Sequence, residues 1–260
     1  MTGVTQGVHF ITFGDGNETY RAAGQRIAVQ ARETGWFASV QTFHEEDLPK
    51  LSSKWFETHR DFIRANARGF GYWMWKPFII LEVLKTLPEG EILLYADAGF
   101  EISKGGAAKF RGYLDEVRRT EFLAFEITHP IHKWTKGDVF AYFSIAPNSE
   151  IYFENQLQSG LLFFQKTAKS LLFVSHWAEL MAARGYSLLD DTVSVAPNSE
   201  GFVEHRHDQA ILTVLAKMHR FGSILPAEDY HADIWAAGKY IVENPFHAFR
   251  NRTGARFIND

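Results

Sequence analysis

The sequence predicts an α/β protein: a mixed, mainly parallel sheet flanked by helices. Two observations carry that reading. In the first hundred residues, short apolar strands alternate with stripes of helical period, the pattern of layered α/β folds. The apolar run of "EILLYADAGFEI", residues 91–102, then ends on Asp97 followed by Ala-Gly. A carboxylate at the carboxyl end of a central strand costs stability unless something pairs with it, and that edge of an open α/β sheet is where ligands bind.

In chain order, residues 9–13 form a first strand, and the turn "GDGNETY" leads into a helix over 18–34. That helix places Tyr20, Ile27, Ala28 and Ala31 on one face and stops at Gly35. A second strand covers 37–43. Residues 51–67 are helical in pattern, with Trp55, Phe56, His59, Phe62 and Ile63 as a stripe. In "RGFGYWMWKPFIILEVLKTLPEG", Pro77 suits the first turn of a helix, where its missing N–H is not required, and Pro88 and Gly90 close it. The strand of Asp97 follows at once. Beyond it, "EFLAFEI" and "QSGLLFFQ" read as strands and residues 167–184 as a helix. Residues 208–219 form another, with Ile211, Leu212, Leu215 and Met218 on one side and Gly222 as its end. In "TKGDVFAYF", Thr135 and Asp138 have capping-box spacing ahead of a helix. The tail from Pro226 on is irregular and carries Arg250, Arg252 and Arg256. "SIAPNSE" and "SVAPNSE" are two similar turns, since their flanks do not match.

The 260 residues fit one large domain, and 46% hydrophobic with 22% charged residues is ordinary for a soluble globular chain. A net charge of −4 without a basic run argues against a nucleic-acid binder. Anionic small molecules therefore need a local basic site. With no cysteine there are no disulfides, thiolate metal sites or cysteine nucleophile. The first residues lack the basic region and apolar core of a secretory signal, and no apolar run approaches ~20 residues, so a cytoplasmic protein without a spanning segment is expected. Aromatic residues are abundant, with 23 Phe, 9 Tyr and 7 Trp. Most of the Phe belong in the core, but Trp and Tyr among polar residues, as in "GYWMWKP" and "HKWTKGD", suit the faces of sugars and bases.

Three stretches hold polar residues that packing alone explains poorly. In "YADAGFE", Asp97 and Glu101 offer carboxylates for Mg²⁺ or Mn²⁺ carrying a diphosphate, while Gly99 permits close approach; the plain alternative is an Asp capping a turn. In "VEHRHDQAIL", Asp208 is either a helix starter or a general base, and a histidine beside it either a solvated residue or a metal or phosphate contact. In "RGFGYWMWKP", Lys76 either contacts a phosphate at a helix N-terminus or points to water. His9 reads as a core histidine. His129, His132, Lys133 and Lys136 read as a solvated loop, with a sugar site as the alternative, and the arginines of "FRNRTGARF" either fold over a diphosphate or keep a tail soluble. No P-loop, nucleophile-elbow or zincin motif occurs.

Taken together and in this order, "GYWMWKPFII", "ILLYADAGFEI", "QSGLLFF" and "EHRHDQAIL" resemble bacterial glycosyltransferases of the GT-A fold. These build capsule or O-antigen polysaccharides from nucleotide sugars, and a galactofuranosyltransferase-like member is one form of the resemblance. It implies a single Rossmann-like GT-A domain over 1–260, with a nucleotide-binding half at 1–103 and an acceptor and catalytic half with the tail at 104–260. In that fold a strand-end Asp-x-Asp grips the metal that bridges the two phosphates. Here Asp97 matches the first position and Gly99 stands at the second. The resemblance therefore implies Mn²⁺ or Mg²⁺ held by Asp97 with Glu101 or His207; without metal, Lys76 and the tail arginines would neutralise the diphosphate. Thr12 and Asp15 would hold base and ribose, and Gly99, Gln209, Arg250 and Arg252 would join Lys76 and Asp97 around the donor. Trp73, Gly160 and His207 would face the acceptor. Asp208 would deprotonate the acceptor hydroxyl in an inverting, hexosyltransferase-like enzyme, or orient the donor sugar in a retaining one. The implied partners are a nucleotide sugar, a UDP-sugar in the first instance, and a lipid-linked glycan at the inner face of the membrane.

Two other classes compete. A nucleotidyltransferase of a sugar phosphate would use a similar nucleotide site and release pyrophosphate, but the N-terminus lacks a Gly- and Lys/Arg-rich phosphate loop. A non-catalytic carbohydrate-binding protein would suit the aromatic content but has no need of the Asp97 and Asp208 clusters.

Overall fold

The computed structural model describes residues 7–228 and 240–259; the part of the irregular tail at 229–239 lies outside the described residues. The chain begins β1 (Val8–Phe13), α1 (Glu18–Thr34), β2 (Ser39–Phe43), α2 (Leu48–Leu51) and α3 (Ser53–Ala65). A four-residue turn, α4 (Gly69–Tyr72), precedes α5 (Trp75–Thr86), β3 (Ile92–Ala96), β4 (Glu101–Ile102) and α6 (Ala107–Thr120). Then come β5 (Phe122–Pro130), the short helices α7 (Ile131–Trp134), α8 (Gly137–Tyr142) and α9 (Glu150–Phe153), β6 (Asn155–Leu157) and β7 (Leu161–Gln165). The remainder is α10 (Ala168–Ala182), α11 (His207–His219), β8 (Ser223–Pro226) and β9 (Phe246–His247).

The main sheet has the order β2-β1-β3-β7-β5-β6, with β8 also paired to β5. β2, β1 and β3 are mutually parallel; β7 runs against both β3 and β5, β6 runs against β5, and β8 runs with β5. Five of the seven strands thus point one way, the mixed, mainly parallel α/β sheet that the alternation predicts. Strand alternation divides the core. On one face Ile11, Leu93, Tyr95, Leu162 and Phe164 pack under α5, α10 and α11. On the other, Phe10, Ile92, Leu94, Leu123 and Phe163 pack under α1 and α6.

Local chemistry sets the helix ends. Asn17 caps α1 by accepting from the Tyr20 N–H at 3.0 Å, and Gly35 closes it with φ of 67°. Thr167 caps α10 through the Ser170 N–H at 3.1 Å. Three expectations are corrected. β2 starts at Ser39 because Trp36 and Phe37 first drop into the core, Trp36 stacking on Phe110 at 4.6 Å. α11 ends at Arg220 in the left-handed conformation rather than at Gly222. Thr135 and Asp138 form no capping box: the Thr135 hydroxyl accepts from Gln156, and Asp138 accepts from the Val195 and Ala196 N–H groups, clasping the loop after α10.

Candidate active site

Asp97 follows the last residue of β3, on the face of Leu93 and Tyr95, so it points toward α5 and α11. There it meets Lys76. Lys76 is 1% exposed, and its ammonium lies 3.3 Å from Asp97 Oδ1, 2.9 Å from Asp208 Oδ2 and 3.3 Å from the Ser159 carbonyl and hydroxyl oxygens. The Tyr95 hydroxyl donates to Asp97 Oδ1 at 2.6 Å. Burial alone would lower the Lys76 pKa; Asp208 and then Asp97 reverse this and hold it above the ordinary lysine value. Burial pushes Asp208 up, and Lys76 offsets part of that rise. Three segments distant in sequence are therefore tied into one charged cluster, and it is Asp97, with a 39% exposed side chain, that opens outward.

Two strained segments deliver the buried partners. Residues 69–73 all have positive φ, from 53° at Phe70 to 79° at Gly71. Gly69 and Gly71 adopt this freely, but Phe70, Tyr72 and Trp73 each bear a cost of about 1–2 kcal/mol. Trp73 folds back over Gly69, where a Cβ would come within 2.4 Å of its ring. Tyr72 and Trp73 both pack on His207, at ring distances of 4.6 and 5.6 Å, and His207 itself has φ of 46°. The turn before Lys76 is thus stacked against the residue before Asp208. Strain of this kind persists where the surroundings over-determine it, and it clusters at functional sites.

Asp97 opens into a cavity of about 170 Å³. Gly99, Gly160, Gln209 and Arg250 line it as well, together with His129, Gln158 and Arg206, which the motifs did not single out for the donor. Gly160 keeps Asp97 accessible, because a Cβ there would lie 2.8 Å from Asp97 Oδ2. Arg206 stands over the Trp134 ring at 4.3 Å and pairs with Glu204 at 3.2 Å. The His129 pKa is lowered by burial and then by the charges of Arg206 and Arg250, so burial and the two guanidinium groups favour its uncharged form. Gln158 and Gln209 line the cavity, and their buried Oε1 and Nε2 atoms, one acceptor and one donor, have no hydrogen-bond partner among the described residues. Hydroxyl groups, which both donate and accept, satisfy such a pair. The sequence signal for Gln158 was its place directly before the Ser-Gly of "QSGLLFF"; Arg206 and His129 carried none that separated them from a solvated loop.

Several expected site residues lie elsewhere. Thr12 is on the opposite face of the sheet, with Val8 and Phe10 under α1. Asp15 is spent on the Arg21 guanidinium at 3.0 Å and the Glu45 N–H at 2.5 Å. Arg252 lies over the Tyr20 ring at 5.7 Å, and Trp73 belongs to the stack described above. Lys76 is sealed beneath Asp97 and does not line the cavity. Asp208, 3% exposed, is under the floor of the cavity, not on its wall.

The donor set does not fit a protein-held divalent ion. Glu101 is fully buried and accepts from Gln30, Asn251 and the N–H groups of Phe257 and Ile258. His207 donates from Nδ1 to the Leu189 carbonyl at 2.8 Å, and its acidic neighbour is Asp191 at 3.7 Å. Asp97 remains, already paired with an ammonium. Among the described residues no three His, Asp or Glu side chains converge.

No family model matches the chain, and no curated protein does. Among solved structures, mouse xyloside xylosyltransferase 1 in its apo form is similar over 85% of this chain and 84% of that chain, with a TM-score of 0.47 and 10% identity. A glycosyltransferase involved in the glycosylation of the major capsid of PBCV-1 is similar over 92% and 91%, with a TM-score of 0.46 and 11% identity.

Proposed function

We propose that the protein is a glycosyltransferase that moves a sugar from a nucleoside diphosphate, UDP in the first instance, to a hydroxyl of a glycan acceptor. The observation that carries this is the cavity: a carboxylate, Asp97, faces a wall of Arg206, Arg250 and His129 at the carboxyl end of β3. The arginines suit the charge that develops on a departing diphosphate. The unfilled amides of Gln158 and Gln209 suit sugar hydroxyls. The order of the four motifs that resemble GT-A glycosyltransferases agrees with this assignment.

Asp97 takes the place of Asp208 as the base, because it is the carboxylate on the cavity wall among the described residues. The acceptor oxygen attacks the anomeric carbon and its proton passes to Asp97. The bond from that carbon to the diphosphate oxygen breaks, its electrons leave with the diphosphate, and the configuration inverts. Lys76 and Asp208 hold Asp97 from below. Surface polysaccharide is the acceptor class that the motif resemblance favours, and lipid-linked glycan at the cytoplasmic face of a membrane is its natural form; among the described residues no helix is long and apolar enough to cross one.

The test is incubation with a panel of nucleotide sugars and glycan acceptors, following the released nucleotide and the anomeric configuration of the product. Release of a nucleoside diphosphate with inversion is expected. Pyrophosphate release would replace the reading with a nucleotidyltransferase, and glycan binding indifferent to nucleotide would replace it with a carbohydrate-binding protein.

A further inference from the structure

The buried carboxylate of Glu101 is surrounded by donors from the C-terminal segment. It accepts from Asn251 Nδ2 at 2.6 Å, from the Phe257 N–H at 3.0 Å and from the Ile258 N–H at 2.9 Å. Beside it, the Arg26 guanidinium donates to the carbonyls of Ala98 at 2.6 Å and Phe100 at 2.8 Å, and to those of Asn251 at 3.1 Å and Thr253 at 2.7 Å. One side chain thus ties the loop after Asp97 to the tail, and the other gathers the tail's own N–H groups. Between the two anchors the Asn251 N–H donates to the Gly99 carbonyl at 3.0 Å. A Cβ on Gly99 would stand 3.2 Å from Arg250 Cα, so the tail backbone rests where a side chain at that position would be. Arg250 itself is held at φ of 53° and lines the cavity.

We propose that Glu101 and Arg26 are positioning residues for Arg250: they bind the C-terminal segment against Gly99 so that the Arg250 guanidinium stands in the cavity where it takes the second phosphate of the donor. This rests on the function proposed above. It explains why a glycine, rather than a second carboxylate, occupies position 99, and why the fully buried Glu101 holds no cation but a strand of tail. Charge-assisted bonds to a carboxylate in a sealed site are strong and directional, which suits a strap that must fix one residue's location.

The experiment is calorimetric titration of the full-length protein with UDP, GDP, CDP and ADP and the matching monophosphates, using the pair bound best. Wild type is expected to prefer the diphosphate by about tenfold or more, the contribution of one charged contact. Arg250→Ala and Glu101→Gln should each collapse that preference while leaving monophosphate affinity unchanged. The double variant should lose no more than either alone, because Glu101 acts through Arg250. Gly99→Ala, which presses on Arg250 without touching the Glu101 anchor, should reduce the preference too and serves if Glu101→Gln does not fold. A Glu101→Gln protein that melts lower yet keeps the full diphosphate preference overturns the proposal, as does an additive double variant. Wild type with no diphosphate preference at all overturns the nucleotide-sugar reading beneath it.

Discussion

The Lys76 ammonium stands 2.9 Å from Asp208 Oδ2, and the two side chains expose only 2% and 5% of their surface. A charge so placed is sustained only by its partners, and here Asp97 is the second of them, 3.3 Å away on the open side. The buried pair therefore does two things: it ties α5 to α11, and it fixes Asp97, the carboxylate that lines the cavity among the described residues.

Lys76→Met leaves two carboxylates without their cation. Breaking a buried pair by removing one partner costs about 3–5 kcal/mol, so urea unfolding should show a loss of that order. The double variant Lys76→Met, Asp208→Leu should recover part of it, because the uncompensated buried charge is gone. A Lys76→Met protein as stable as wild type would mean the pair does not form.

Asp97→Asn keeps the shape of a side chain that is 39% exposed and leaves Lys76 paired with Asp208. Transfer should fall by about a hundredfold or more with little change in melting temperature, since what is lost is proton acceptance. Gly160→Ala should also lower turnover, because the added Cβ meets Asp97 Oδ2 at 2.8 Å and forces that side chain aside. Full activity in either variant would remove Asp97 from the chemistry.

Stability should fall on the acid side of neutrality. Burial holds His205 well below the ordinary histidine value and lowers His207, His59 and His129 as well. The folded state keeps these rings neutral while the unfolded chain binds protons near pH ~6.5, so their contribution is complete above that pH and is lost as pH falls through it toward the lower folded values. Thermal melts from pH 8 to 5 should trace this limb, and His205→Gln should make it shallower. A melting temperature flat across that range would contradict the burial of neutral histidines.

Chelation should leave transfer unaffected. With Glu101 and His207 committed elsewhere and Asp97 on an ammonium, the proposed reaction leaves the charge of the leaving group to cationic side chains. Rates measured in EDTA and in added Mn²⁺ should agree within about twofold. A collapse in EDTA restored by Mn²⁺ would return a metal to Asp97.

The layered α/β architecture and the chemistry-bearing segments were legible in the chain itself. Alternating periodicity, Asn17 with Gly35 around α1, and Pro77 in the first turn of α5 are local signals, and each acts over a few residues. Asp97 at a strand end was legible for the same reason: a carboxylate closing an apolar run has an energetic cost that sequence alone reveals. Which carboxylate faces the cavity was not. Asp97 and Asp208 look alike in sequence, and only the tertiary arrangement that brings Lys76 of α5 to the start of α11 buries one beneath Lys76 and leaves the other open. Glu101 resembled a metal ligand because it lies four residues after Asp97. Its role as an anchor depends on Asn251, Phe257 and Ile258, more than a hundred residues distant, and contacts at such separations leave no local pattern to read. Short-range preferences readable in the chain determined the elements and their ends; the tertiary structure, by burying some charges and exposing others, decided what each charged group can do.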